Sequence, residues 1–407
     1  MAYMNIWIID HYAVPPKYYP LARQTVFAKK LNEKGHNTTI FCASTVHNSD
    51  MNLSNGTDLF REEVVDGVRY VFITCNDYKG NGVKRILNMI EFARRLPKVC
   101  KNFPKPDAVL ACSMTLQACR QGLKLARRYG ARAVAQITDL WPETLIAYGA
   151  AGPGNPAVIY LRTIEKWIYT HADSIVFSME GAYDYIKERH WEKSVPQEKV
   201  HFINNGVDLE AFDYNKDHYT IEDSDLNNPD IIKAVYVGSI RRVNNLGILL
   251  DIAKEVKDSR VRFLIWGDGD EREALEKRAV HEHITNVTFK GRVEKKYVAY
   301  ITTKADINLL HCFESPIFRF GISMNKTFDY FAAGKPIYCD FGCKHNPAID
   351  TGSGVEAPGG DVKLKAEVLE KMLSDNLSDY AHNARTAAEE KYNFNVLTEK
   401  LINALLG

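Results

Sequence analysis

Short apolar runs alternate with segments of helical periodicity along most of the chain. This alternation is typical of parallel β-sheets whose strands are joined by crossover helices. In the first half, the apolar runs predict strands at residues 5–9, 38–42, 68–73, 108–111, 133–137 and 174–177. The pattern then begins again and predicts strands at residues 201–203, 233–237, 261–266, 287–289, 307–310 and 336–339. We therefore expect an α/β protein with two consecutive Rossmann-like domains.

The domain boundaries are predicted from interruptions of this pattern. A length of 407 residues suits two domains of about 200 residues each. The polar segment 193–198 interrupts the pattern and predicts a first domain over residues 1–197 and a second over residues 198–390. The helical pattern near the C-terminus is broken around Tyr392. Residues 391–407 are therefore predicted to form a helix that leaves the second domain and packs on the first.

Composition narrows the class of protein further. Lys and Arg (52) nearly balance Asp and Glu (51), so no global charge attracts nucleic acid, and no nucleic-acid partner is expected. The eight cysteines lack Cys-x-x-Cys spacing, which indicates free thiols in a reducing compartment. Cys339, Cys343 and His345 are the one metal-binding alternative, although their spacing matches no standard zinc framework. The first ten residues resemble a strand rather than a signal peptide, and no apolar run reaches 18 residues, so a cytoplasmic location is expected.

The strand predicted at 233–237 runs into a glycine turn that carries two arginines. Gly238 and Ser239 form the turn, and Arg241 and Arg242 follow it. The carboxyl end of a strand is where an open α/β sheet binds its ligand, and the guanidinium fork matches phosphate oxygens. The turn is therefore a candidate diphosphate site. The alternative is that both arginines are solvated loop charges.

The strand predicted at 261–266 leads into a Gly-x-Gly turn, Gly267 and Gly269, and then a helix. The third glycine of a dinucleotide fingerprint is missing, which disfavours a nicotinamide enzyme. The acidic residues Asp268 and Asp270 resemble the Asp-x-Asp pair with which some enzymes bind a divalent metal. Capping of the following helix is the favoured interpretation.

A third candidate segment leads into a helix whose N-terminus is predicted near Ser323 and Asn325. Free backbone N–H groups and the helix dipole form an anion site there. Lys326 lies in the first turn, where a cation opposes the dipole, and a bound anion would explain it. Asp329, one turn further on, is placed to meet a ribose hydroxyl pair. The alternative is an ordinary amphipathic helix with an unusual lysine.

Five landmarks follow one another in a familiar order: Asp139-Leu-Trp-Pro-Glu143, Asn204-Asn-Gly-Val-Asp208, Tyr236-Val-Gly-Ser-Ile240, Gly267-Asp-Gly269 and Ser323-Met-Asn-Lys-Thr-Phe-Asp-Tyr-Phe-Ala-Ala-Gly-Lys-Pro336. With them the chain resembles the retaining glycosyltransferases of the B-type fold (GT-B), family 4, in the branch that builds bacterial surface polysaccharides. The resemblance implies two Rossmann-like domains facing each other across a cleft. It also implies that the C-terminal domain binds a nucleotide-diphosphate sugar, with uridine as the expected base, and that the N-terminal domain binds the acceptor.

The sequence departs from the family pattern at three places. Asp329 takes the position of the glutamate that holds the ribose, and the glutamate eight positions earlier has no counterpart, because Glu314 lies too early. The turn after the Tyr-Val-Gly strand lacks the family's lysine, so Lys326 is expected to supply that charge. Thr138-Asp139 stands where the family often has a His-Asp pair, and Asp139 with Glu143 is the candidate for orienting the sugar or the acceptor hydroxyl. Helix N-capping is the alternative role for Asp139.

These considerations give a defined set of predicted site residues. The residues predicted to act in catalysis are Asp139, Glu143, Arg242 and Lys326. The residues predicted to bind the donor are Gly238, Ser239, Arg241, Arg242, Gly267, Gly269, Gly321, Ile322, Ser323, Asn325, Lys326 and Asp329. Cations and helix N–H groups around the leaving phosphate would stabilise its developing charge without a metal or other cofactor. By resemblance, the donor's own phosphate assists deprotonation of the acceptor, and domain closure excludes water.

The acceptor is expected to be a glycan or a lipid-linked sugar. Residues 84–105 form a basic amphipathic pattern that suits peripheral docking on anionic lipid at the inner face of the membrane. A plain solvated helix is the alternative. Two other functions compete with the transferase: a sugar-nucleotide epimerase of the same fold, and a non-catalytic subunit that binds nucleotide sugars.

Overall fold

The computed structural model describes residues 3–19, 23–54, 56–113 and 115–407. The chain divides into two compact units. The first unit comprises Met1–Asn204 and Phe394–Gly407, and the second comprises Asn205–Asn393.

The first unit is built on an eight-stranded sheet with the strand order β3-β4-β2-β1-β5-β6-β7-β8. Its strands are β1 (Asn5–Ile9), β2 (Asn37–Ala43), β3 (Phe60–Val65), β4 (Val68–Ile73), β5 (Ala108–Cys112), β6 (Arg132–Ile137), β7 (Ser174–Phe177) and β8 (Val200–Phe202). Its helices before the second unit are α1 (Arg23–Glu33), α2 (Val83–Cys100), α3 (Leu116–Tyr129), α4 (Glu143–Ala147), α5 (Pro156–His171) and α6 (Ala182–Glu188). The central strands are buried apolar runs, as strands covered on both faces by helices must be.

Strand β3 was not predicted, because its sequence Phe-Arg-Glu-Glu-Val-Val carries three charged residues. It lies at the sheet edge and pairs antiparallel with β4. Asp66 and Gly67 form the two-residue connection, both with positive φ (49° and 75°), as a tight hairpin turn requires. An edge strand with charged side chains is half exposed and resists pairing with other chains.

The predicted boundary between the domains is wrong by about seven residues. The strand predicted at 201–203 was expected to open the second domain, whereas β8 pairs parallel with β7 at the edge of the first sheet. A short 3-10 turn, Gln197–Lys199, delivers the chain to that edge. The first unit therefore extends to Asn204 rather than to residue 197. Local sequence pattern identifies a strand but does not specify which of two sheets it joins.

The second unit is built on a six-stranded parallel sheet with the order β11-β10-β9-β12-β13-β14. Its strands are β9 (Ile232–Val237), β10 (Val261–Trp266), β11 (Val287–Gly291), β12 (Ile307–Leu310), β13 (Ile337–Cys339) and β14 (Gly354–Glu356). Its helices are α7 (Leu209–His218), α8 (Gly247–Glu255), α9 (Arg272–His281), α10 (Val298–Lys304), α11 (Asn325–Ala333), α12 (Pro347–Asp350), α13 (Val362–Ser374) and α14 (Leu377–Glu390). Strand β14 was not predicted, because its half-buried sequence Gly-Val-Glu contains a single large apolar residue.

The last helix, α15 (Phe394–Leu406), belongs to the first unit and packs on α1, where the Phe27 and Phe394 rings meet edge to face with their centres 5.1 Å apart. It begins three residues later than predicted. Tyr392 still belongs to the second unit, because its ring packs against Phe328 (5.1 Å) and Phe331 (5.3 Å) of α11. These aromatic contacts hold residues 391–393 out of the crossing helix.

Candidate functional site

Four strand ends of the second unit converge at one edge of its sheet, the position where open α/β sheets bind ligands. The glycine turn after β9 and the glycine turn after β10 pack backbone to backbone there. Gly238 N donates to Trp266 O (3.0 Å), and Ile240 N donates to Asp268 O (2.9 Å). A Cβ on Gly267 would lie 1.8 Å from Gly238 O, and one on Gly269 would lie 2.2 Å from Ile240 O. Both positions therefore require glycine, and the two turns form one rigid platform.

Lys326 extends from α11 to this platform. Its ammonium Nζ donates to Tyr236 Oη (3.1 Å), lies 3.4 Å from His311 O and sits 4.3 Å from the centre of the Tyr236 ring. A Cβ on Gly238 would lie 3.1 Å from Nζ. Within the described ranges no carboxylate pairs with this ammonium. The structure thus brings Lys326 to the glycine turn, as predicted, with its positive charge uncompensated.

The N-terminus of α11 lies beside Lys326. Its N-cap, Met324, makes no side-chain cap bond with the described residues, so no described side chain caps the first turn, in which Thr327 N donates to Met324 O (3.1 Å). Ser323 Oγ accepts from Asn205 N (3.4 Å), and Asn325 Oδ1 accepts from Asn205 Nδ2. The preceding loop contains Gly321, at φ 99°, and the buried Ile322. Of these predicted donor residues, Ser323 and Asn325 therefore also anchor the loop that starts at Asn205.

Arg241 and Arg242 project from the turn after Ser239 and are both exposed. Among the residues that the structure describes, neither guanidinium makes a hydrogen bond or an ion pair. The turn itself is fixed, because Asn244 Nδ2 donates to Ser239 O (2.8 Å) and to Ser239 Oγ (3.0 Å). Two unneutralised cations are thus held on an ordered turn.

Two predictions for acidic residues of this unit need revision. Asp329 forms an ion pair with Lys295, so a ribose would have to share its carboxylate with that ammonium. The acidic residues after Gly267 do not cap α9, which was the favoured interpretation. The helix begins at Arg272 after the N-cap Glu271, and no described side chain caps it. Asp268 Oδ1 instead accepts from Gly269 N (2.9 Å), since residues 268–271 form a turn before the helix.

Asp139 and Glu143, predicted to act together, have different environments in the first unit. Asp139 is not a helix N-cap, because Pro142 occupies that position of α4. In the described part of the chain its carboxylate has no hydrogen bond or ion pair, and burial raises its pKa. Glu143 is 8% exposed and pairs with Arg162 Nη2 at 2.8 Å. Its carboxylate is therefore already paired with a half-buried arginine, and the expectation that it orients a substrate hydroxyl together with Asp139 stays a prediction.

Arg162 joins Glu143 to a deeper buried group. It donates to Tyr185 Oη (2.6 Å) and lies 3.6 Å from Glu165 Oε2. Tyr185 and Tyr169 both donate to Glu165 Oε1. Burial raises the pKa of Glu165 to about 8. This network holds the segment that carries Asp139 against the helix below it.

The first unit also collects polar side chains at the carboxyl ends of β1, β5 and β6. Burial raises the pKa of Asp10 and lowers the pKa of His11 to about 3. Within residues 3–19, 23–54, 56–113 and 115–407, the buried hydroxyls of Ser113 and Thr115 and the amide nitrogen of Gln136 have no hydrogen-bond partner. Buried polar atoms normally have hydrogen-bond partners, so these groups are available to bond a polar ligand or water.

Sequence reasoning missed His311 and Asp340, which follow β12 and β13 at the same edge as Lys326. His311 Nδ1 is hydrogen-bonded to Asp340 Oδ2, and its Nε2 is hydrogen-bonded to Asn244 O at 2.6 Å. Both residues directly follow strands that were predicted, so a polar residue at a strand end was the available signal. Tyr236, whose ring lies under Lys326 Nζ, was noted only as part of a strand and of the third family landmark.

Helix α2 exposes an apolar stripe on its first two turns. Val83 is 70% exposed, Ile86 52% and Leu87 58%. Exposed cations accompany the stripe at Lys84 and Lys98. Across the described ranges, no helix is long and apolar enough to cross a membrane.

In the part of the chain that the structure describes, the cysteines and the other side chains that can bind metals do not cluster into a metal site. All eight cysteines are free thiols. Among the described residues, no group of three or more His, Cys, Asp or Glu side chains is arranged to hold a metal ion, and this includes the alternative at Cys339, Cys343 and His345.

Comparisons with known proteins match both units. The family described as Glycosyltransferase Family 4 matches residues 25–211, and the family described as Glycosyl transferases group 1 matches residues 232–375. Probable glycosyltransferase WbjE of Pseudomonas aeruginosa is 24% identical over 67% of each chain. Putative colanic acid biosynthesis glycosyl transferase WcaI of Escherichia coli (strain K12) is 28% identical over 51% of each chain, so the alignment spans about half of that protein.

Solved structures resemble the whole chain in fold. Sucrose-phosphate synthase from Thermosynechococcus elongatus has a TM-score of 0.72 at 16% identity, with 98% of both chains covered. HepE from Anabaena, in complex with UDP-glucose, has a TM-score of 0.64 at 13% identity, with 99% of this chain and 100% of that chain covered.

Proposed function

Since the chain belongs to the family 4 glycosyltransferases with the GT-B fold, we propose that it transfers a sugar from a nucleotide-diphosphate sugar to a glycan or lipid-linked acceptor. The single observation that carries the donor assignment is the uncompensated Lys326 ammonium on the glycine platform, beside the uncapped N-terminus of α11. Cation, helix dipole and free N–H groups together suit a diphosphate. The name of WcaI, a putative colanic acid biosynthesis glycosyl transferase, supports a place in bacterial polysaccharide biosynthesis.

The donor's diphosphate would lie between Lys326, the N-terminus of α11 and the turn of Arg241 and Arg242. As the bond from the anomeric carbon to the phosphate oxygen breaks, negative charge gathers on the leaving diphosphate, and these groups stabilise it. They supply positive charge without a metal. Uridine as the base is supported by the complex of HepE with UDP-glucose. Asp329 would accept from the ribose hydroxyls while it keeps Lys295 as a partner.

The acceptor would bind in the first unit, at the carboxyl edge of its sheet. Unpaired buried hydroxyls at Ser113 and Thr115 and the amide of Gln136 can exchange hydrogen bonds with sugar hydroxyls. Asp139 lies after β6 at the same edge and is free to accept from an acceptor hydroxyl. We propose that the transfer retains the anomeric configuration, as the resemblance to retaining transferases implies, with the donor phosphate taking the acceptor's proton.

Peripheral membrane contact through residues 84–105 would bring the enzyme to a lipid-linked acceptor. The exposed Ile86 and Leu87 would enter the boundary between headgroups and acyl chains, while the lysines meet anionic headgroups. The alternative, a solvated helix without such a role, is distinguished by liposome flotation.

The proposal is tested by measuring binding and turnover with the same preparation. Calorimetric titration with UDP, GDP, dTDP and ADP should identify one tightly bound diphosphate. The matching sugar nucleotide should be hydrolysed slowly without an acceptor and yield free sugar and diphosphate. An epimerised donor would indicate the epimerase alternative, binding without hydrolysis would indicate a non-catalytic subunit, and no binding would refute the donor site.

A further inference from the structure

Arg241, Arg242 and Lys326 together form a cation cluster at the edge of the second sheet. Two buried polar side chains behind this cluster have no role in the function proposed above. His311 is 1% exposed and follows β12, and Asp340 is 4% exposed and follows β13. The imidazole bridges two elements: Nδ1 is bonded to Asp340 Oδ2, and Nε2 to the backbone oxygen of Asn244, at 2.6 Å. The ring thus ties the end of the sheet to the turn that carries Arg242.

The partners fix the number of protons in this pair. The backbone oxygen of Asn244 can only accept, so Nε2 carries a hydrogen. The bond between Nδ1 and Asp340 needs one further proton, on either the ring or the carboxyl group. The pair therefore holds two protons, and the imidazole cannot rotate by 180° without losing both partners. Because the ring is buried and hydrogen-bonded at both nitrogens, its orientation is fixed.

His311 is connected to both parts of the cation cluster, the turn of Arg241 and Arg242 and the ammonium of Lys326. Through Asn244 it reaches the turn, because the Asn244 side chain binds Ser239 O and Ser239 Oγ. Through its own carbonyl oxygen, His311 lies 3.4 Å from Lys326 Nζ. Below it, Asp340 O accepts from the buried Lys365 ammonium, which anchors the carboxylate end.

We propose that His311, held by Asp340, is a positioning residue that fixes the turn of Arg241 and Arg242 in the geometry that binds the diphosphate. The Nε2 bond to Asn244 carries this effect, and the Nδ1 bond to Asp340 orients the ring. The proposal rests on the proposed function for the identity of the ligand, but the ordering of the turn is a property of the ligand-free protein.

Two isosteric substitutions separate the two bonds. In His311→Gln the side-chain amide nitrogen takes the place of Nε2 and still donates to Asn244 O. In His311→Asn the amide nitrogen takes the place of Nδ1, so the Asp340 bond is retained and the Asn244 bond is lost. Each variant loses one buried hydrogen bond, so a purely structural role predicts similar effects from both.

The experiment measures UDP affinity by calorimetry and amide hydrogen exchange of residues 239–246 in the ligand-free full-length protein. We expect His311→Asn to weaken UDP binding by about tenfold or more and to accelerate exchange in the turn, because an unpaired buried carbonyl releases it. His311→Gln should stay within about threefold of the wild-type affinity and keep slow exchange. Equal effects of the two variants, or an Asn variant that changes neither quantity, would overturn the proposal. If the wild-type protein binds no diphosphate, the proposed function fails, and the exchange comparison still decides whether His311 orders the turn.

Discussion

Lys326→Met removes the charge that anchors the donor assignment and keeps the stem that covers the Tyr236 ring. Among the residues that the structure describes, the ammonium has only neutral partners, Tyr236 Oη at 3.1 Å and His311 O at 3.4 Å, so the substitution breaks no ion pair with them. The folded state should tolerate it, and the melting temperature should change little. The affinity for the diphosphate, in contrast, should fall strongly.

The expected magnitude follows from the position of Lys326. A phosphate charge about 4 Å from Nζ would gain about 4 kcal/mol at an effective dielectric constant of about 20. The site is half exposed, and the ammonium gives up hydration on binding, so the net value should approach that of a charged hydrogen bond, about 1.5 to 3 kcal/mol. This corresponds to a Kd about 10- to 100-fold higher for the variant.

Calorimetric titration of UDP into the wild-type protein and into Lys326→Met, at two salt concentrations, measures this change in Kd. The wild-type affinity should fall more steeply with salt than that of the variant, because one charge contact is missing. Lys277→Met is the matched control, since this exposed lysine pairs only with Glu273 on the surface of α9 among the described residues. A Kd for Lys326→Met that equals the wild-type value would refute the reasoning.

Three further predictions concern the platform, the buried network and the exposed helix. Gly269→Ala should lower both the melting temperature and UDP affinity, because its Cβ would lie 2.2 Å from a carbonyl oxygen, whereas Gly360→Ala, with open space around it, should change neither in thermal-shift and titration assays. Glu165→Gln should flatten the pH dependence of the unfolding free energy. Burial raises the folded-state pKa of Glu165 above its ordinary value of 4.5 to about 8, so the wild-type protein loses more than about 1 kcal/mol of stability as pH rises from 6 to 9. Denaturant titrations in which the unfolding free energies of the wild-type protein and the variant fall equally with pH would contradict this. Leu87→Asp should reduce flotation with anionic liposomes, whereas Val64→Asp, at an equally exposed position on β3, should not; absence of wild-type flotation would remove the membrane proposal.

Much of the fold was predictable, because strands buried on both faces are contiguous apolar runs. Strands β1, β9 and β10 begin and end within a residue of their predicted bounds. The charged edge strand β3 and the three-residue β14 lack that signal. The membership of β8 depends on which sheet edge is open to it, and that is a property of the assembled unit.

The candidate site was predictable in its backbone and less so in its side chains. Gly238 and Lys326 were expected to meet, because strand ends and helix N-termini share one edge of a parallel sheet. The pairing of Asp329 with Lys295 joins residues 34 positions apart. The pairing of Glu143 with Arg162 likewise depends on how two helices pack, and nothing in either local sequence specifies such a partner.

The central claim is that the second unit holds the diphosphate of a sugar nucleotide on the cations at the carboxyl edge of its sheet. A crystal structure with bound UDP tests it most directly. The account predicts phosphate oxygens within hydrogen-bonding distance of Lys326 Nζ, the first-turn N–H groups of α11 and a guanidinium of Arg241 or Arg242. A diphosphate bound elsewhere, with these groups left unoccupied, would contradict it.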